Sequence, residues 1–213
     1  MADNRIFYSG DIYHICNKSI SNYHIFRNNT LADHFKTTLV YYNTSADKIP
    51  LSKALKKEFT IPHIMNRGED SIVFVLGFCI MPDHYHLLIK VNKEYSVSQY
   101  INNVQNSYSH YYNKINKRRG PLWQNRFRAI CIEDNSTLLH VLRYIHLNPT
   151  TAKLVDLPEK WSYSSYKDYM SDTGILKLNK EISINSIEYL RKFTEDQIDY
   201  QQTIKGIRRK LLE

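Results

Sequence analysis

The chain has 213 residues, 42% hydrophobic and 23% charged, which fits one large domain, or one domain of about 100–150 residues with an appendage, and gives no indication of disorder. No apolar run approaches the ~20 residues of a membrane span, and the opening MADNRIFYSG lacks the charged-then-apolar order of a signal peptide, so a cytoplasmic chain is expected. A net charge of +8 points to a polyanionic partner, and without a basic amphipathic anchor nucleic acid fits better than membrane.

Residues 11–16, DIYHIC, read as a short strand, and 31–42 as a helix with Leu31, Phe35, Leu39 and Tyr42 at three- and four-residue intervals. From 43 to 70, with Pro50, Pro62 and Gly68, the pattern loosens into a connection over the sheet that holds a short helix near Leu51–Phe59. SIVFVLGFCI at 71–80 and LLIKV after it are β-branched and aromatic, and Pro82 and Asp83 between them are turn residues, so an antiparallel hairpin is expected. Ser96-Val97-Ser98-Gln99 has the form of a capping box. It opens a helix whose stripe runs Val97, Tyr100, Ile101, Val104, Tyr108, Tyr111, Tyr112 and Ile115. Lys117-Arg118-Arg119-Gly120-Pro121 stops that helix, and AICIED at 129–134 gives a further strand.

Asn135-Ser136-Thr137 starts the next helix, buried through Leu138, Val141, Leu142 and Ile145 and ended by Pro149, with Asn148 at its last position. DLPEKWSYSSYKDY at 156–169 reads as aromatic-rich loop or short helix. After SDTG comes a helix whose end carries Lys205, Arg208, Arg209 and Lys210. The sum is an α+β domain over 1–170, one antiparallel sheet with helices packed on it, and a basic helical C-terminal extension over 171–213. Cys16, Cys79 and Cys131 are far apart, each in an apolar run, and read as buried free thiols of a reducing compartment.

The chemistry-bearing residues fall into three groups. His84 and His86, two apart on a strand, project from one face as half of a metal site. Tyr144 and Asn148, four apart on the polar side of their helix, emerge one turn from each other. If that helix lies over the histidine strand, Asn148 supplies an oxygen to the ion and Tyr144 stands beside it. His140, one turn earlier, is an auxiliary candidate, and His146 reads as surface. Imidazole favours Mn²⁺, Co²⁺ or Zn²⁺ over Mg²⁺, although phosphate oxygens can complete a Mg²⁺ octahedron. The third group is KINKRRGPLWQNRFR at 114–128. Its cations Lys114, Lys117, Arg118, Arg119, Arg126 and Arg128 have no acid among them and are interleaved with Trp123, Gln124 and Phe127, a mixture suited to unpaired bases and phosphates.

MPDHYHLLI, GPLWQNRFRA, YIHLNP and WSYSSY, in that order, resemble the single-tyrosine transposases of the HUH endonuclease superfamily, in the branch associated with repetitive extragenic palindromes. The likeness spans roughly residues 11–169. It implies a ferredoxin-like HUH sheet, a Mg²⁺ or Mn²⁺ ion held by His84, His86 and Asn148, and Tyr144 as the nucleophile. It implies a metal-dependent single-stranded DNA endonuclease and strand transferase that cleaves near hairpins through a 5′-phosphotyrosine. The expected partner is single-stranded or hairpin DNA, the expected location the nucleoid, and the DNA contacts Lys117, Arg118, Arg119, Trp123, Gln124, Arg126 and Arg128. Family members include dimers that exchange the tyrosine helix, so monomer and homodimer both stay open. A catalytically silent hairpin-binding protein on the same fold is the alternative. Two departures stand out: Tyr85 where the family has a compact hydrophobe, and Asp83 where it often has Asn.

Overall fold

The computed structural model describes residues 6–44, 49–57, 70–94, 96–171 and 186–202. Four strands, β1 (Ile12–Lys18), β2 (Val73–Ile80), β3 (His84–Val91) and β4 (Arg128–Ile132), form one antiparallel sheet in the order β2-β3-β1-β4. The helices are α1 (Asn29–Tyr42), α2 (Leu51–Ala54), α3 (Val97–Ile115), α4 (Asn135–Thr151), α5 (Tyr166–Met170) and α6 (Ile187–Glu195). The α+β architecture and the β-α-β-β-α-β-α order agree with the sequence reading. The second half of the connection, 58–69, and the basic run at 205–210 lie outside the described residues.

Strand alternation builds two cores from one sheet. Ile15 of β1 with Tyr85, Leu87 and Ile89 of β3 faces α1 and α3, meeting Phe35, Leu39, Tyr100, Ile101, Val104 and Tyr108. The opposite face presents Leu88 and Cys79 to Leu138, Leu142 and Ile145 of α4, and Leu190 of α6 joins that core from outside. Each such aliphatic side chain, fully buried, contributes about 1.5–3 kcal/mol before entropy is counted. The helix carrying Tyr144 therefore lies on the sheet face that β3 lines with His84 and His86.

Gly77 permits the close approach of α4. A Cβ there would sit 2.6 Å from Leu142 Cδ1, and the strand shifts register between Val75 and Gly77. The WSYSSY segment then covers the outer edge of β2. Ile80 N donates to Tyr163 O (2.8 Å), Ser165 N to Phe78 O (3.0 Å) and Trp161 Nε1 to Ile80 O (3.0 Å), which removes an open edge. Residues 186–202 of the expected extension pack on α4: Arg143 lies over the Phe193 ring at 4.2 Å, and Gln202 Nε2 donates to Thr150 O.

Several local expectations are corrected. Ser96 has helical backbone angles and its hydroxyl bonds Glu94 O, so the capping box does not form. The N-cap of α4 is Asp134, whose carboxylate accepts from Thr137 N at 2.8 Å, rather than Asn135 to Thr137. Pro149 sits inside the last turn instead of ending the helix, because that late position forfeits a single intrahelical bond. His146 is fully buried, since α5 packs over it: Nε2 meets Ser165 Oγ at 2.9 Å and the ring lies between Tyr166 and Tyr169. Of the thiols, Cys79 alone is buried. Cys16 is half-buried, and Cys131 is exposed because β4 is an edge strand.

Candidate active site

β3 begins at His84, directly after the turn, so both imidazoles lie at one end of the sheet on the α4 face. The turn is pinned by β1 through Ser19 N to Asp83 O (2.8 Å) and by Phe26 N to Pro82 O (2.9 Å). The rings of His84 and His86 stand 5.1 Å apart by centroid and nearly perpendicular. Tyr144 comes down from α4 with its ring edge-on to both His86 (5.5 Å) and His14 (6.2 Å), and it stays 44% exposed.

These side chains surround a cavity of about 350 Å³ lined by His84, His86 and Tyr144 with Cys16, Asn17, Lys18, Gln124, Asn125, Arg126 and Arg128. The segment preceding β4 is tied to the end of β1 by Gln124 N to Lys18 O (2.9 Å) and Asn17 Nδ2 to Asn125 O (3.0 Å), which sets three of the expected DNA contacts at the rim. Lys18, Arg126 and Arg128 give the cavity a positive wall suited to phosphate.

Asp83 connects that wall to the histidines. Its carboxylate meets His84 Nδ1 at 2.5 Å and Lys18 Nζ at 3.3 Å. Burial alone would raise this carboxyl, but the hydrogen bond and charge of His84, with Lys18 behind them, bring it down to about 2. A carboxylate on Nδ1 fixes the imidazole ring and leaves Nε2 as the ligand atom, the arrangement usual behind metal-bound histidine. Tyr85 faces the other core, fully buried, with its hydroxyl accepting from Gln105 Nε2 at 2.6 Å, so this departure is absorbed by packing.

Other expected site residues lie elsewhere. Asn148 is buried one turn beyond Tyr144, gives its Nδ2 to Tyr144 O (2.9 Å), and does not line the cavity. His140 bonds Arg143 and leans on Phe193, toward α6. Trp123 packs against the α1/α3 core, its indole N–H donating to Ser109 Oγ at 3.0 Å. Arg118 is spent on Pro121 O and Asn113 Oδ1, whereas Lys117 and Arg119 are exposed beyond the end of α3. Among rival tyrosines, Tyr100 and Tyr108 are buried and donate to Leu39 O and Ile25 O.

Sequence reasoning missed His14, Cys16 and Lys18. Their alternation within β1 places them on one face, yet nothing local says which strand lies beside β1. The register does: Lys18 stands opposite His84, and Cys16 stands between His86 and Arg128. The donor chemistry fits a divalent ion. His86 is 6% exposed, and its Nε2 is buried without a partner among the described residues, an atom that an ion would satisfy.

Known proteins share parts of this sequence and fold. Over residues 53–148 the chain matches the family model described as IS200-like transposase, a stretch that takes in both histidines and Tyr144 and ends on Asn148. A Haemophilus influenzae protein named as a REP-associated tyrosine transposase is 29% identical over 101 residues, 43% of this chain and 57% of that protein. The chain thus spans less than two thirds of that relative. A solved REP-associated tyrosine transposase bound to a REP hairpin superposes with a TM-score of 0.54 at 14% identity, covering 88% of this chain and 93% of the other, a likeness of fold. Over these stretches the chain is similar in sequence to IS200-like and REP-associated tyrosine transposases, and it shares the fold of the hairpin-bound one.

Proposed function

We propose that the chain is a metal-dependent single-stranded DNA endonuclease and strand transferase that acts near DNA hairpins. The observation carrying this reading is the placement of Tyr144, an exposed phenol, over His86 at the mouth of a cavity that also holds His84, Arg126 and Arg128. A divalent ion held by His84 and His86 would supply polarisation of the scissile phosphate, while Asn148, outside the cavity with its amide on Tyr144 O, stays apart from it in this arrangement.

This chain's own residues do the rest. Arg126, Arg128 and Lys18 position the phosphate and offset its charge, with Lys117, Arg119 and Gln124 extending the contact along the strand and Arg118 and Trp123 shaping that loop. Tyr144 Oη attacks phosphorus, the phosphorus–oxygen bond to the 3′ side breaks, and the leaving 3′ oxygen takes a proton. The phenol, with a reference pKa of about 10, gives up its proton as it attacks. The adduct is a 5′-phosphotyrosine that conserves the phosphodiester's energy, and a second 3′-OH resolves it. His140 bears on Arg143 rather than on the phosphate. The hairpin-bound relative supports a hairpin partner, since it shares the fold.

The test is a denaturing gel with labelled hairpin DNA carrying a single-stranded flank, in Mn²⁺ or Mg²⁺. The protein-linked band is expected with the native chain and absent with Tyr144→Phe, whose circular dichroism and hairpin affinity stay close to native. A band persisting in Tyr144→Phe assigns the nucleophile to another tyrosine, and a native chain that binds hairpins without ever yielding the band is a binding protein.

A further inference from the structure

Three donors meet on the α4 face of the sheet beside the HUH pair. Cys16 stands across from His86 in the β1–β3 ladder, and His14 lies two residues before Cys16 on the same face. One ligand atom from each of His14, Cys16 and His86 lies within 4.8 Å of the others. The His14 and His86 rings stack 20° from parallel with centroids 5.1 Å apart, and His14 Nε2 is 2.9 Å from His86 Nδ1. The second nitrogen of His86, Nε2, is buried with no partner among the described residues.

The nitrogen that faces His14 is Nδ1, so Nε2 is left to the HUH pair, and it is the gathering of two imidazole nitrogens and a thiol in one place that points to a second ligand. The donor set names the ligand's class. Mg²⁺ takes oxygen atoms in a near-ideal octahedron, whereas two imidazoles and a thiolate are the choice of a soft or borderline ion in a tetrahedral site. Two nitrogen ligands at ~2.0–2.1 Å from such an ion stand about 3.3 Å apart, and a sulfur at ~2.3 Å is only slightly farther, so adjustments of about 1 Å gather the three.

We propose that His14, Cys16 and His86 form a soft-metal site for Zn²⁺ or Co²⁺, separate in its ligands from the HUH pair except for His86. On binding, the imidazole that donates the hydrogen bond moves its proton to its other ring nitrogen, two nitrogen–metal bonds replace the bond between the rings, the Cys16 thiol gives its proton to solvent, and the fourth position is left to water. Because His86 serves both sets, a metal held here withdraws it from Mg²⁺ or Mn²⁺. The site stands on its own geometry and does not require DNA cleavage.

The test is a Co²⁺ titration of the reduced full chain by absorption spectroscopy. Tetrahedral d–d bands and a sulfur-to-cobalt charge-transfer band are expected. Cys16→Ser should lose the charge-transfer band, Cys131→Ser should keep it, and His14→Ala should weaken Zn²⁺ and Co²⁺ by at least about tenfold, or ~1.4 kcal/mol. A measurement without substitution runs alongside: Zn²⁺, but not Mg²⁺, should slow alkylation of Cys16 by iodoacetamide, read by mass spectrometry. An octahedral cobalt spectrum without the sulfur band, a band that survives Cys16→Ser, or alkylation of Cys16 unaffected by Zn²⁺ overturns the proposal. Failure of the Tyr144 adduct assay leaves these spectra unchanged, so the two readings fail separately.

Discussion

Acid should unseat α4 from the sheet through His146. The side chain is fully buried, Nε2 meets Ser165 Oγ, and Nδ1 has no partner among the described residues. An imidazolium must donate from both nitrogens and here finds one acceptor, so burial pushes His146 down to about 3. In the unfolded chain the same group titrates near ~6.5. The unfolded state therefore binds the proton first: stability is full above that value and is lost progressively as pH falls toward the folded value, at ~1.36 kcal/mol per unit. At pH 5 the penalty reaches about 2 kcal/mol, or roughly 4–8 °C in Tm for a chain of this size. His146→Gln removes the titration while keeping a polar partner for Ser165. Urea unfolding by circular dichroism at pH 7 and pH 5 should show the native chain losing about 2 kcal/mol more than the variant. The buried His14 and His34 titrate in both chains and cancel in the difference. Parallel pH dependences would refute the reasoning and mean that His146 is already solvated in the native ensemble.

Gly77→Ala should cost about 1–3 kcal/mol by forcing Leu142 away from β2, and combining it with Leu142→Ala should give less than the sum of the two single effects in a double-mutant unfolding cycle. Arg128→Ala and Arg126→Ala should each flatten the log–log salt dependence of hairpin binding by about 0.7–0.9, measured by fluorescence anisotropy, since each removes one phosphate contact at the cavity rim. Trp123→Ala should destabilise by roughly 2–4 kcal/mol, because its ring packs near Phe26, Phe35, Tyr85 and Tyr108. Hairpin affinity measured where that variant is still folded then separates base contact from scaffolding, and an unchanged affinity assigns Trp123 to the core.

What the sequence determined by itself is what short-range geometry controls. A period of two puts His84 and His86 on one face, and a spacing of four puts Tyr144 and Asn148 on one side of a helix, whatever surrounds them. The apolar stripes also told which elements exist, because a helix or strand in a folded chain is held chiefly by burial of its apolar face. Tertiary structure decided the rest. His146 looked like surface by residue type although it lies one turn beyond Leu142, and nothing in its neighbourhood announces that α5 will cover it. Asn148 shares the expected side of α4, yet its amide is held by the helix carbonyl one turn back. His14 and Cys16 were unremarkable in DIYHIC. They became part of a site when β1 was seated between β3 and β4 in the register that sets Cys16 against His86. Strand order and register are fixed by which faces must be buried across the whole sheet, a long-range condition that no local window contains.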